Sequence, residues 1–206
     1  MLYEYLVENY QPNEPIFMAD IDLSISANYL RQMFKGLCDE GKIKRFDNGV
    51  YYIPGNSRLK GGTGIASSTV LDYKYIKRNN QMIGYVSGYT FANQLGITMQ
   101  VPYRLEVVSN NASANSREVS VKGQKCILRK AKTEINDENY RILQFLDLLK
   151  DIDIYADDEV ENVSGILREY MKSLEVKKAV FDQYISLYPD KTYRNFYEMG
   201  LYDVFL

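Results

Sequence analysis

The sequence predicts an α+β chain in two parts. Helical spacing followed at once by a tight hairpin marks the first part, over residues 24–54. Strand-like alternation between 103 and 129, then helical spacing from 133 onward, marks the second as a mixed α/β domain with a helical tail. With 206 residues there is room for one good core or two small ones, at roughly 100–150 residues per domain. The parts are placed at 1–54 and 68–206, joined by a linker at 55–67.

In the first part, Leu2, Tyr5, Leu6 and Asn9 define a short helix that Pro12 stops. Pro15 is placed to open a second helix over Ile16 to Ile21, because its fixed φ suits a first helical turn. Ser24 or Ser26 caps a third, on which Ala27, Leu30, Phe34, Leu37 and Cys38 fall on one face. Gly41 supplies the left-handed residue that ends it. Lys42-Ile43-Lys44-Arg45-Phe46 then alternates charged and apolar side chains, Asp47-Asn48-Gly49 turns, and Val50 to Ile53 returns. Helix, short helix, helix and hairpin is the order of a winged helix-turn-helix. The outer face of the third helix carries Asn28, Tyr29, Arg31, Gln32 and Lys35, which can hydrogen-bond base edges and phosphates in a major groove. A merely solvated polar face is the alternative; the basic strand and aromatic return strand that follow favour the nucleic-acid reading.

The linker contains Gly61-Gly62-Thr63-Gly64, but a phosphate-binding loop would need a preceding strand and a following Lys-Ser or Lys-Thr, and neither is present. Ser67 or Ser68 caps a helix over Thr69 to Lys77, Arg78 to Gln81 turn, and Ile83 to Gly88 read as a strand. A short helix from Tyr89 to Leu95 ends at Gly96. Strands are predicted at Tyr103–Ser109, Glu118–Val121 and Lys125–Arg129, and helices near 140–149, 160–171, 177–187 and 193–202.

Composition narrows the functions. Apolar residues at 46% and charged residues at 25% belong to an ordinary folded protein. The chain has no histidine, which removes the commonest general base and most zinc sites. Cys38 and Cys126 are the two cysteines, read as free thiols. No apolar run nears the ~18 residues of a membrane span, and no secretory signal opens the chain, so a cytoplasmic location is expected. Net charge is −2, distributed unevenly. Residues 61–130 hold 9 Lys and Arg against 3 Asp and Glu, whereas residues 131–206 hold 9 against 16. A basic middle and an acidic tail imply different partners.

Two stretches resemble a known family. Gly49-Val50-Tyr51-Tyr52-Ile53-Pro54 is followed by Tyr85-Val86-Ser87-Gly88-Tyr89-Thr90-Phe91-Ala92-Asn93-Gln94-Leu95-Gly96-Ile97-Thr98, by Gln100-Val101-Pro102 and by the strand Leu105-Glu106-Val107-Val108. This resembles the AbiEi antitoxin family over roughly residues 15–130, with the second motif the more specific. The chain departs from the family at Phe91 and Gln94, where members show alanine and histidine. The resemblance implies an antitoxin of a bacterial type IV abortive-infection toxin-antitoxin system, acting in phage defence. Its winged helix would bind double-stranded promoter DNA as an autoregulating transcriptional repressor. Its C-terminal antitoxin-type domain would counter a nucleotidyltransferase-like toxin. By the same resemblance, the DNA contacts fall on Ser26, Asn28, Arg31, Gln32 and Lys35 of the helix and on Lys44, Arg45 and Asn48 of the wing.

For the second part, Arg104, Arg117, Lys122, Lys125 and Arg129 are the expected partner surface, for an acidic toxin patch or RNA; a solvated sheet face is the alternative. Asp151 and Asp153 are spaced like the magnesium ligands of a nucleotidyltransferase, but no Gly-Ser turn precedes them, so they read as a solvated helix end. The sequence therefore points to no catalytic residue, metal or cofactor. The competing function is a winged-helix transcription factor whose second part binds a small-molecule effector.

Overall fold

The computed structural model describes residues 1–55, 64–157 and 159–206; most of the predicted linker, with the glycines at 61 and 62, lies outside them. The chain is α+β, and it forms two compact units, Met1–Tyr73 and Lys74–Leu206.

In the first unit, α1 (Leu2–Asn9) is followed by β1 (Ile16–Phe17) and a single 3-10 turn (Met18–Asp20). The helix expected at 16–21 is thus absent. Ile16 and Phe17 pair instead with Tyr51 and Val50, so distant strand partners outweigh the local helix-opening signal of Pro15. Then come α2 (Ala27–Asp39), β2 (Lys44–Asp47) and β3 (Val50–Tyr52), which with β1 make an antiparallel sheet in the order β1-β3-β2. Ser26 caps α2 by accepting a bond from the Tyr29 N–H at 3.3 Å, and Gly41 beyond its end has φ +72°. Leu30, Phe34 and Leu37 bury one face of α2 against Leu2, Leu6, Ile16, Ile43 and Ile53. Ala27, expected on that face, is exposed in the first turn, and Cys38 is half-buried at its margin. Asn48-Gly49 closes the hairpin, with Gly49 at φ +72° as a tight two-residue loop requires.

The next helix, α3 (Ser67–Tyr75), carries the unit boundary. The first unit therefore extends past 54 to Tyr73, whose ring stacks on Phe17 at 6.1 Å and whose hydroxyl donates to Glu14 at 2.8 Å. The second unit opens with the hairpin β4 (Lys77–Arg78) and β5 (Gln81–Met82), turned by Asn79 and Asn80 at φ +49° and +63°. It continues through β6 (Gly84–Val86), α4 (Gly88–Gln94), β7 (Leu105–Ser109), β8 (Ser116–Val121) and β9 (Gln124–Lys130). Strands β6, β7, β9 and β8 lie in that order: β9 inserts parallel to β7, and β8 pairs outside it.

The tail is helical: α5 (Tyr140–Lys150), α6 (Ile152–Tyr155), α7 (Val160–Lys172), α8 (Lys178–Ile185) and α9 (Asp190–Glu198), closed by a 3-10 turn (Leu201–Phe205). Helix α5 is the hub. Its Leu143, Phe145, Leu146 and Leu149 join Tyr85 and Val108 of the sheet to Leu167, Phe181 and Phe196 of the tail. Every one of these side chains is buried, which makes sheet and tail one hydrophobic core.

Candidate nucleic-acid interface and a polar cleft

Every helix position in the predicted DNA set faces solvent. Ser26, Asn28, Arg31, Gln32 and Lys35 are all exposed, because the stripe of Leu30, Phe34 and Leu37 turns the opposite side of α2 into the core. Arg31 donates to the Asn28 side-chain oxygen at 2.9 Å, one helical turn away, so the two polar groups present a joined surface. Tyr29 stands beside them, 53% exposed. On the hairpin, Arg45 donates through Nε to the Asp47 carbonyl at 3.2 Å and through its guanidinium to Asn48 Oδ1 at 3.1 Å. Lys44, on the neighbouring position of β2, is half-buried.

The five basic residues proposed for a partner do not form one patch. Lys125 and Arg104 both pair with the Glu118 carboxylate, at 3.3 and 2.9 Å, on the open part of the sheet. Arg117 is paired in register with Leu128, which points it to the opposite face from Glu118, and Lys122 sits in the β8–β9 turn at φ +44°. Arg129 leaves the set altogether. It shares the face of Lys125, but there α5 covers the sheet, and Arg129 binds Asp147 at 2.7 Å with its side chain only 23% exposed.

That pair is the centre of a polar network that the residue pattern did not reveal. Asp147 is 5% exposed and accepts from Arg129, from Lys150 at 3.2 Å and from the Ser87 hydroxyl. Ser87 also accepts from Arg129 at 2.7 Å, so its hydroxyl is used in both directions. Lys150 reaches Asp151 at 3.0 Å, and Asp151 meets Lys191 of α9 at 2.5 Å. Asp151 is therefore tied into ion pairs and is not the solvated helix end expected of it; Asp153 is exposed.

Burial raises the cost of charging Asp147, yet the Arg129 and Lys150 charges and the Ser87 and Arg129 hydrogen bonds outweigh it and hold its carboxyl below the ordinary carboxylate range. Burial works against the Arg129 charge as well, but Asp147 keeps it firmly protonated. Burial pushes the Tyr85 hydroxyl well above its ordinary value, helped by Tyr188 and Asp147. Tyr85, Val108, Asn115, Arg129, Lys130, Ala131, Lys132, Asp147 and Lys150 line a cleft of about 400 Å³. A sequence signal for this site did exist. Asp147 stands alone inside the apolar run Leu146-Asp147-Leu148-Leu149, and a carboxylate there needs a buried cation.

The more specific of the two familiar stretches builds one side of this unit. It forms β6, the Ser87-Gly88 corner and α4, then a loop in which the Thr98 hydroxyl and the Met99 N–H donate to Asp157. Gly88 has φ +60°, and a Cβ there would displace the Glu106 carboxylate, so the corner favours glycine. Phe91 is buried edge-on against Tyr170 at 5.5 Å, whereas Gln94 is exposed.

No family model matches the chain, and no curated protein matches it. Among the described residues, no helix is long and apolar enough to cross a membrane.

Proposed function

We propose that the chain is a DNA-binding antitoxin of the AbiEi kind, with a winged helix in its first unit that represses its own promoter. The observation that carries this reading is the solvent-facing set Asn28, Arg31, Gln32 and Lys35 on a 13-residue helix whose other side is anchored in a core. The β1-β3-β2 sheet supports it, because it sets a hairpin directly after that helix, with Arg45 on its first strand and Asn48 in its two-residue loop. Binding to the DNA upstream of its own gene, followed by gel shift across a salt series, is the test. Arg31→Ala or Gln32→Ala should cost about 1–3 kcal/mol at the cognate site if either reads a base. Lys44→Ala should weaken binding to all sequences and flatten the salt dependence. A complex that ignores both salt and Arg31 removes the proposal.

In this reading the second unit counters a nucleotidyltransferase-like toxin, and Arg104 and Lys125 supply its exposed basic surface. Charge reversal at both positions in the full chain should abolish protection of cells expressing the toxin; intact protection by the folded variant rejects that surface. The cleft of about 400 Å³ in the same unit favours a second reading, a transcription factor with a small-molecule effector domain, since it is the size of a ligand pocket.

A further inference from the structure

The cleft beside α5 carries more positive charge than its own carboxylates can neutralise. Asp147 is matched by Arg129, and Asp151 by Lys191. Glu106, on the same face of the sheet as Arg129, acts on it as well, so Lys150, which bridges Asp147 and Asp151, is balanced, and Lys130 and Lys132 are the cations in excess. Among the described residues the ammonium groups of Lys130 and Lys132 have no partner, and both side chains are exposed at the end of β9. Lys150 lies deeper, with its side chain 16% exposed. Asn115 lies on the same wall.

We infer that this cleft binds the terminal phosphate of a small phosphorylated molecule. A phosphate monoester carries about −1.5 to −2 charge at neutral pH and three acceptor oxygens, which suits a cleft lined by Lys130 and Lys132 with Lys150 deeper in the same lining. The depth of the cations selects a terminal group. A phosphodiester within a chain would pass over Lys130 and Lys132, whereas a terminal phosphate can enter as far as Lys150. The volume of about 400 Å³ exceeds what one phosphate fills, so the rest of a nucleoside-sized ligand has room. Arg129 commits three of its five N–H groups to Asp147 and Ser87. It holds Asp147 in place, and so positions Lys150.

The site is independent of DNA binding and is tested without it. Full-length protein in phosphate-free, low-salt buffer is titrated calorimetrically with inorganic phosphate, AMP, adenosine and a short RNA lacking terminal phosphates. AMP and inorganic phosphate should bind saturably at millimolar concentration or below, and adenosine should not. The double variant Lys130→Ala/Lys132→Ala should weaken AMP binding by about tenfold or more. It should also melt where the parent does without ligand, because neither lysine makes an ion pair that folding needs. Lys150→Met should weaken AMP binding while leaving any binding of the unphosphorylated RNA in place. The inference is overturned if neither phosphate compound binds saturably, or if the folded double variant binds AMP as the parent does. It is overturned equally if the unphosphorylated RNA binds as tightly as AMP and loses as much in the double variant. Operator gel shifts by the same double variant should be unchanged, so failure here and failure of DNA binding remain distinguishable.

Discussion

Two clusters on the same sheet hold the same chemistry in opposite surroundings. Around Glu118, Arg104 and Lys125 converge with all three side chains 40–47% exposed. Around Asp147, Arg129 and Lys150 converge with side chains 5–23% exposed. In water an ion pair exchanges hydration for Coulomb attraction almost evenly, so the first cluster contributes little to stability. Beneath α5 that exchange is unequal: both partners have lost water, and each is tolerable only while the other is present. Sequence shows basic residues on alternate positions of β9 in both places, and only the covering helix makes one of them structural.

The largest expected effect breaks the buried cluster on one side. Asp147→Ala strands the Arg129 charge and the Ser87 hydroxyl, leaves Lys150 with Asp151 alone, and should cost about 3–5 kcal/mol in urea unfolding. A loss below about 1 kcal/mol would mean that water reaches the site as freely as it reaches Glu118. Replacing both partners together, as Arg129→Met/Asp147→Leu, should restore much of that stability, since no uncompensated pair remains. A double variant as unstable as Asp147→Ala would instead place the cost in packing.

Acid should act on the buried cluster next. The Asp147 carboxyl is held below the ordinary carboxylate range, so the unfolded chain takes up that proton first as pH falls. Its contribution is complete above a pH of about 4 and is lost progressively as pH drops from there through its lowered folded value. Unfolding followed across that window should show a slope that Asp147→Asn flattens. The smallest effect is Glu118→Ala at neutral pH, expected within about 1 kcal/mol of the parent by the same measurement. A larger loss would show that the exposed cluster pins β8 to β9 through charge.

Much of the candidate DNA-binding face was legible in sequence because its determinants are local. Ser26, Gly41 and Gly49 act within a few residues of themselves, and the spacing of Leu30, Phe34 and Leu37 alone decides which side of α2 faces water. The failures share a distance. Ile16 and Phe17 look helical until Val50 and Tyr51 offer them a strand, and Ala27 repeats with the core stripe yet sits beyond it. Tyr73 joins the first unit through Phe17 and Glu14, contacts no window of sequence around it could contain.

Residue order by itself determined the longer helices and the strands β2, β3 and β7 to β9. It also determined the tight Asn48-Gly49 turn, because backbone preference and hydrophobic period operate over one or two turns of chain. Strand order was decided only in the tertiary structure. Alternation records which way each side chain of β9 points but not that β9 lies parallel to β7 with β8 outside it. The fate of charge was decided there too: Arg129 and Lys125 are alike in sequence, and the dielectric each one feels depends on whether α5 lies over it.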